Sequence, residues 1–465
     1  MTRASGVSPP AAVDVADAIG SARVGAYHRA LALLVGLVVF FEGYDTFNAA
    51  YVIHYVMRPW GLQPAHAGLL VSSGIVGFSV AAFFQGKISD VFGRRVALIG
   101  ALWISTVFSL ATGLWGQSFW SFCLWRLLTG LGLGVLLPVS VAYMNEFAPR
   151  HVKTRFGTWS WSLGFSIGGV AASAVGVFLT PTFGWESLYY AAASSAVVAL
   201  ACHAWLPESP TFLALQGRTD ALRALLARVD PDRASAFLNP ATTFTIDEPR
   251  DRAASLSLLL APASRALTLA SWMAAFCVLF AVYGLTSWAP TSMLARGETL
   301  ASSFGFGAII LGMNFVGTLA CGVAIDRFGF GKRAPAIWWL IGGGAVAALA
   351  VVNGHRVNAA AMVLAGFGIL GGQGALNNLT ASWYDTRVRS TAVGTMLAVG
   401  RTGAIIGPYA IGWLQQRAGV DAGFVAIGVA SWLGAVAIAS APRRSHATGT
   451  LEQTGDRATP PTGSR

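Results

Sequence analysis

Gly86-Lys87-Ile88-Ser89-Asp90-Val91-Phe92-Gly93-Arg94-Arg95 closes one long apolar stretch and opens another, and its spacing returns at Gly322-Val323-Ala324-Ile325-Asp326-Arg327-Phe328-Gly329. A polar signature repeated at matched spacing in the two halves of a chain marks a duplicated unit. Each copy follows the second apolar segment in a set of six. The first set covers residues 31–56, 67–84, 96–115, 119–143, 156–179 and 187–206; the second covers 266–293, 304–325, 334–352, 357–383, 390–415 and 422–439. About 20 residues at roughly 1.5 Å each cross a hydrocarbon core of about 30 Å. The predicted fold is therefore an all-α membrane protein, with twelve transmembrane helices in two six-helix pseudo-symmetric halves. The expected organisation is a cytoplasmic N-terminal segment (1–29), a first half (30–206), a cytoplasmic linker (207–264), a second half (265–440) and a polar, disordered tail (441–465). Parallel repeats of this kind place a substrate site between the halves near mid-membrane, and rocking about it gives alternating access.

Composition supports the class. The chain is 55% hydrophobic and only 11% charged, where soluble domains run near about 25% charged. A net charge of +11 in a soluble chain would suggest nucleic acid; here the placement of the basic residues explains it. With the N-terminus inside, only Arg58, Arg296, Arg356 and Arg417 of the 31 Lys and Arg residues fall outside, and Arg126 and Arg401 fall within apolar segments. That bias predicts cytoplasmic termini and no nucleic-acid partner. All four cysteines lie in apolar segments and read as small buried residues, with no disulfide or metal framework. Residues 1–29 lack a signal peptide's apolar core, so segment 31–56 is expected to remain as a span. Arginine in place of lysine, with abundant Ala and Gly, suggests a GC-rich bacterial source and hence the bacterial cytoplasmic (inner) membrane. In the linker, 211–218 and 221–228 read as short amphipathic helices on the inner membrane surface, tethering the halves.

Within segment 31–56 stand two acids, in Glu42-Gly43-Tyr44-Asp45. A charge at mid-membrane costs at least about 2.5–3.5 kcal/mol on insertion scales, and the i, i+3 spacing puts both carboxylates on one helix face. They are either neutralised by structural partners or form a proton-carrying site on an aqueous cavity. Arg126 and Arg401 are equally deep. A guanidinium stays charged and grips a carboxylate through two parallel hydrogen bonds, so a buried arginine suits an organic anion. An ion pair with Glu42 or Asp45 is the competing reading. Gly400, Gly403 and Gly407 around Arg401 leave room for a ligand or for a close helix. Two acids and two arginines balance, so a bound monoanion leaves one surplus negative charge unless a proton joins it. Phe41, Tyr44, Tyr283 and Trp288 are placed either to stack on an aromatic ring or simply to pack. Gln373, Asn377 and Asn378 are candidate partners for ring hydroxyls.

With its Gly-Lys-x-x-Asp-x-x-Gly-Arg-Arg signature and two sets of six spans, the chain resembles the major facilitator superfamily over nearly its whole length. Within it, the chain is similar to the aromatic acid:proton symporters, whose first span carries Asp-Gly-Tyr/Phe-Asp where this chain has Glu42-Gly43-Tyr44-Asp45. Other matches are Arg126-Leu-Leu-Thr-Gly130-Leu-Gly132-Leu-Gly134, Trp288-Ala-Pro290-Thr291 and Gly400-Arg401-Thr-Gly403-Ala-Ile-Ile-Gly407-Pro408. The resemblance implies a monomeric symporter that imports a small aromatic carboxylate of the benzoate or hydroxybenzoate class, with protons as coupling ion and no other cofactor. Glu42 and Asp45 would couple protons. Arg401, Arg126 and the aromatic and amide residues above would bind substrate. Gly86, Asp90, Gly93, Arg94, Arg95, Glu146 and Asp326 would form a conformational latch. Two positions depart from the pattern: Glu42 is one methylene longer than the usual Asp, and Val91 replaces a basic residue.

Sugar porters share the signature and Pro207-Glu208-Ser209 but carry a Gln-Gln pair in the seventh span that is absent here. Drug:proton antiporters have a Gly-Pro-rich fifth span, which Phe165-Ser-Ile-Gly-Gly-Val does not match. An enzyme needs a nucleophile with its base or a metal cluster, and His54, His66, His203 and His355 are scattered singly.

Overall fold

The computed structural model describes residues 12–152, 163–246, 256–262 and 264–442. Most of the expected disordered tail and the first residues of the fifth predicted span lie outside the described residues. Among the described residues nine helices are long and apolar enough to cross a bilayer. After a short α1 (Val15–Gly20), the first half holds α2 (Ala26–Val56), α3 (Pro64–Phe92), α4 (Arg94–Trp115), α5 (Phe119–Phe147), the shorter apolar α6 (Gly164–Phe178) and α7 (Ser187–Trp205). Two linker helices follow, α8 (Pro210–Leu215) and α9 (Thr219–Val229). The second half holds α10 (Arg265–Ala295), α11 (Leu300–Asp326), α12 (Arg333–Ala348), α13 (His355–Trp383), α14 (Thr386–Ala418) and α15 (Val420–Ser440). Helices thus stand at all the predicted span positions. Of the three that fall short, α6 and α12 are 15 and 16 residues long, while α14 has 33 residues. In α14, Arg401 and the surrounding Gly and Thr residues lower the apolarity, which is tolerable in a helix that neighbours screen from lipid.

The repeat is visible in how glycines let backbones meet. In the first half, Gly43 of α2 lies against the Phe165 carbonyl and Gly168 of α6 against that of Phe40; in the second, Gly403 and Gly407 of α14 lie against the Phe276 and Phe280 carbonyls of α10. These are equivalent pairs, first span with fifth and seventh with eleventh. The pairs α3/α5 (Gly77 on Leu127, Gly130 on Gly74) and α11/α13 (Gly317 on Phe367, Gly366 on Ile310) repeat the relation. A side chain at any of these points would drive the helices apart. The glycines beside Arg401 therefore admit a close helix; the room they leave is filled by α10.

Residues 86–92 are not a loop: they continue α3 to its last turn, and the chain breaks only at Gly93, with φ of 90°. Its counterpart Gly329 has φ of 67°. Both occupy the left-handed region that glycine enters without penalty.

Two symmetry-related contacts join the halves. Ser72 Oγ on α3 donates to the Ile405 carbonyl on α14 at 2.7 Å, and Ser173 Oγ on α6 donates to the Phe304 carbonyl on α11 at 2.5 Å. Gly68 and Gly412 pack against Pro408 and Pro64 respectively, so α3 and α14 close together at the end of the bundle opposite the linker. At the linker end, β1 (Ala12–Asp14) pairs in parallel with β2 (Thr243–Thr245). Leu222, Leu225, Leu226 and Val229 of α9 are buried in one cluster with Val15, Ala18 and Ile19. The amphipathic face expected to lie on the membrane instead packs against the first half and its N-terminal segment.

Candidate functional site

Near the middle of their helices, Phe78 (α3), Tyr283 (α10) and Arg401 (α14) meet, with Glu42 of α2 within reach of the Arg401 charge. The Arg401 guanidinium lies over the Phe78 ring, 3.9 Å from its centroid, and its Nη1 is 3.5 Å from Tyr283 Oη. Cation–π contact at a half-buried site such as this is worth between about 0.5 and about 2 kcal/mol. Arg401 is the cation whose field reaches Glu42. Glu42 is 1% exposed, and its Oε2 has no hydrogen-bond partner among the described residues. An orphaned buried carboxyl oxygen is costly unless a partner or a proton satisfies it.

One turn along α2, Asp45 is fully satisfied. Arg126 Nη1 donates to Asp45 Oδ1 at 2.9 Å and its Nη2 to the Asp45 carbonyl at 3.0 Å. Asn48 Nδ2 donates to the same Oδ1 at 2.9 Å, and Ser109 Oγ donates to Oδ2. The Arg126 guanidinium also stands 5.7 Å from the centre of the Tyr189 ring. All of these groups belong to the first half. The four charges thus divide into a closed pair, Asp45 with Arg126, and an open pair across the halves, Glu42 with Arg401.

The other candidates disperse. Tyr44 Oη donates to the Leu188 carbonyl at 2.9 Å, inside an aromatic cluster with Phe122, Trp185 and Tyr189. Trp288 is buried with its Nε1 on the Pro408 carbonyl at 2.7 Å, and Phe41 packs edge-on to Phe40. On α13, Gln373 and Asn377 share a face one turn apart, and Asn377 Oδ1 is buried without a hydrogen-bond partner among the described residues; Asn378 is exposed. A five-residue π-helical stretch, Gly366–Leu370, precedes them, a distortion frequent at functional sites. Residues the sequence reading passed over are Phe78, Asn48 and Ser109. Only Asn48 had a signal, since it extends the Glu42–Asp45 face by one more turn.

Three of the latch candidates, Arg94, Arg95 and Glu146, are engaged within the first half and the start of the linker. Arg94 pairs with Glu146, which also accepts from Ser209 Oγ. Arg95 donates from its backbone N–H to Glu208 at 3.0 Å and from its guanidinium to the Leu206 and His203 carbonyls, each at 2.7 Å. Gly93 leaves space that the Glu208 carboxylate occupies. Asp90 and Asp326 are exposed, and no neighbour accounts for Gly86.

Because Asp45 and Arg126 hold each other out of water, the expected effect of Asp45→Asn is structural. It strands a buried guanidinium, typically about 3–5 kcal/mol, and the melting point and folded yield in detergent fall. Asp45→Asn with Arg126→Gln recovers part of the loss. An Asp45→Asn protein that melts like the wild type would show the pair is not structural.

Two pseudo-symmetric helical halves around a buried, half-open charge site define a membrane carrier. Residues 33–352 match the Major Facilitator Superfamily. The 4-hydroxybenzoate transporter PcaK of Pseudomonas putida is 30% identical over 411 residues, spanning 86% of this chain and 90% of that protein. The gallate transporter of Pseudomonas putida is 30% identical over 445 residues, 93% and 96% of the two chains. In structure, the xylose transporter XylE from E. coli in its inward open conformation superposes with a TM-score of 0.70 at 17% identity, covering 90% of this chain and 97% of that one. The chain belongs to the Major Facilitator Superfamily, within its aromatic acid transporter family, and is a transporter and not an enzyme.

Proposed function

We propose that the protein imports a small aromatic carboxylate of the benzoate or hydroxybenzoate class together with a proton, as a monomer in the bacterial inner membrane with both termini in the cytoplasm. The carrying observation is the open pair: among the described residues Arg401 has no carboxylate bound to it, and Glu42 has an unsatisfied oxygen. A substrate carboxylate that takes Arg401 removes the charge balancing Glu42, and a proton on Glu42 restores neutrality. Tyr283 beside Arg401 offers a ring to an aromatic acid, and Asn377 a hydrogen-bond acceptor. The relatives' names, 4-hydroxybenzoate and gallate transporters, support the substrate class. With the basic linker end inside, the α3/α14 closure lies at the outer face. Cells expressing the chain are expected to accumulate labelled benzoate or monohydroxybenzoates and not xylose. Accumulation of xylose without the acids would overturn the assignment.

A further inference from the structure

On the surface that α3 and α4 turn to the bilayer, toward the linker end, lies a groove of about 610 Å³. Its walls are Val80 and Phe84 on α3 and Val96, Gly100 and Ile104 on α4, with Leu131 of α5 as floor; Lys87 stands at its edge. It runs about 12 Å along α4 from Val96 to Ile104, and about 18 Å along α3 from Val80 to Phe92. One leaflet of a core about 30 Å thick is about 15 Å. Phe92 and Val96 also line a second pocket, of about 440 Å³, so the two adjoin.

This second pocket has a different character. It is walled by the linker helices α8 and α9 and holds Arg95, Arg218 and Arg228 against a single acid, Glu208. Glu208 Oε1 is turned to the backbone N–H groups of Arg95 (3.0 Å) and Ser209 (2.8 Å). Arg218 and Arg228 are exposed and form no ion pair or side-chain hydrogen bond among the described residues. An apolar slot one leaflet deep that ends in three arginines matches an amphiphile with an anionic head.

We propose that this groove and pocket form a site for one anionic phospholipid, an acyl chain lying between α3 and α4 and the phosphate held by Arg218 and Arg228, Arg95 being committed to the Leu206 and His203 carbonyls. Basic pockets at the membrane face select such head groups. A second copy of the chain is a poor occupant, since the net charge of +11 repels another copy at an arginine-rich patch. A benzoate-sized acid fills neither the slot nor its length. The lipid would bridge the Gly86–Arg95 segment to the linker, tying both to the leaflet.

Gly100 supplies the test, because a Cβ there meets no atom within 4 Å. Gly100→Leu fills the slot without touching the protein's own packing, and Ile104→Trp does so from the same wall one turn further along α4. The full-length protein, purified in detergent, is titrated with phosphatidylglycerol or phosphatidylethanolamine of identical chains, or with glycerol phosphate alone, and bound lipid is counted by native mass spectrometry. Wild-type protein is expected to retain phosphatidylglycerol over phosphatidylethanolamine, by roughly fivefold for each arginine engaged. The double variant Arg218→Gln/Arg228→Gln abolishes that preference but keeps the zwitterionic lipid, and Gly100→Leu and Ile104→Trp lower retention of both. Glycerol phosphate is not retained, because the chain supplies most of the hold. Equal retention of the two lipids by the wild type, or full retention by both slot-filling variants with unchanged melting points, overturns the proposal. Tight binding of glycerol phosphate would replace the lipid by a free phosphate ester.

Discussion

Arg401→Lys is expected to raise the KM for the aromatic acid roughly 10- to 100-fold, the loss of one charge-assisted contact of about 1.5–3 kcal/mol. Lysine keeps the charge but not the planar fork that holds a carboxylate through two parallel bonds, nor the flat face that lies on Phe78 at 3.9 Å. The location of the damage is diagnostic. If Arg401 binds substrate, the Lys variant shows weak affinity for every acid tested and a proton requirement that is unchanged when substrate is saturating. Wild-type KM in Arg401→Lys, measured as uptake by cells with matched expression, would reduce Arg401 to a counter-charge for Glu42.

Glu42→Gln separates coupling from binding. The amide has the volume of the protonated acid, so the cavity keeps its shape while losing the group that titrates. Accumulation against a gradient is expected to vanish, while counterflow, in which unlabelled acid inside accelerates labelled acid entering, persists because it needs only the substrate-loaded carrier to reorient. Glu42→Asp, which has the residue usual in this family's first span, is expected to remain active. A Glu42→Gln protein that still concentrates substrate would move the proton elsewhere. Asp45 is the poorer alternative, since Arg126, Asn48 and Ser109 already satisfy its carboxylate.

The spans and the duplication were legible because they rest on properties that any stretch of chain carries locally: apolar length, the spacing from Gly86 to Arg95, and its echo at Gly322. Both intramembrane arginines and both acids were legible for the same reason, as charges where charge is expensive. Their pairing was not. Glu42 and Asp45 share a face, so sequence offers each arginine to either acid, and the choice depends on helix contacts 81 residues apart in the chain. Aromatic residues were the least legible. Trp288 and Tyr44 are committed to carbonyls of neighbouring helices, whereas Phe78, in an unremarked apolar run, carries Arg401. The glycines beside Arg401 were ambiguous in sequence, because a missing side chain makes room for a ligand and for a helix alike. The second span, expected to end at residue 84, runs on as helix through Gly86–Phe92, and only Gly93 breaks it.

The central claim, that one proton accompanies each acid through the open Glu42–Arg401 pair, is tested most directly in proteoliposomes of the purified protein with pH gradient and membrane potential imposed separately. One monoanion with one proton is electroneutral, so at zero potential an acidic exterior should drive labelled 4-hydroxybenzoate inward above equilibrium, and an imposed potential at equal pH should drive almost none. Uptake that is unchanged when the pH gradient is collapsed, with the potential clamped at zero, would contradict proton symport and leave facilitated diffusion or exchange in its place.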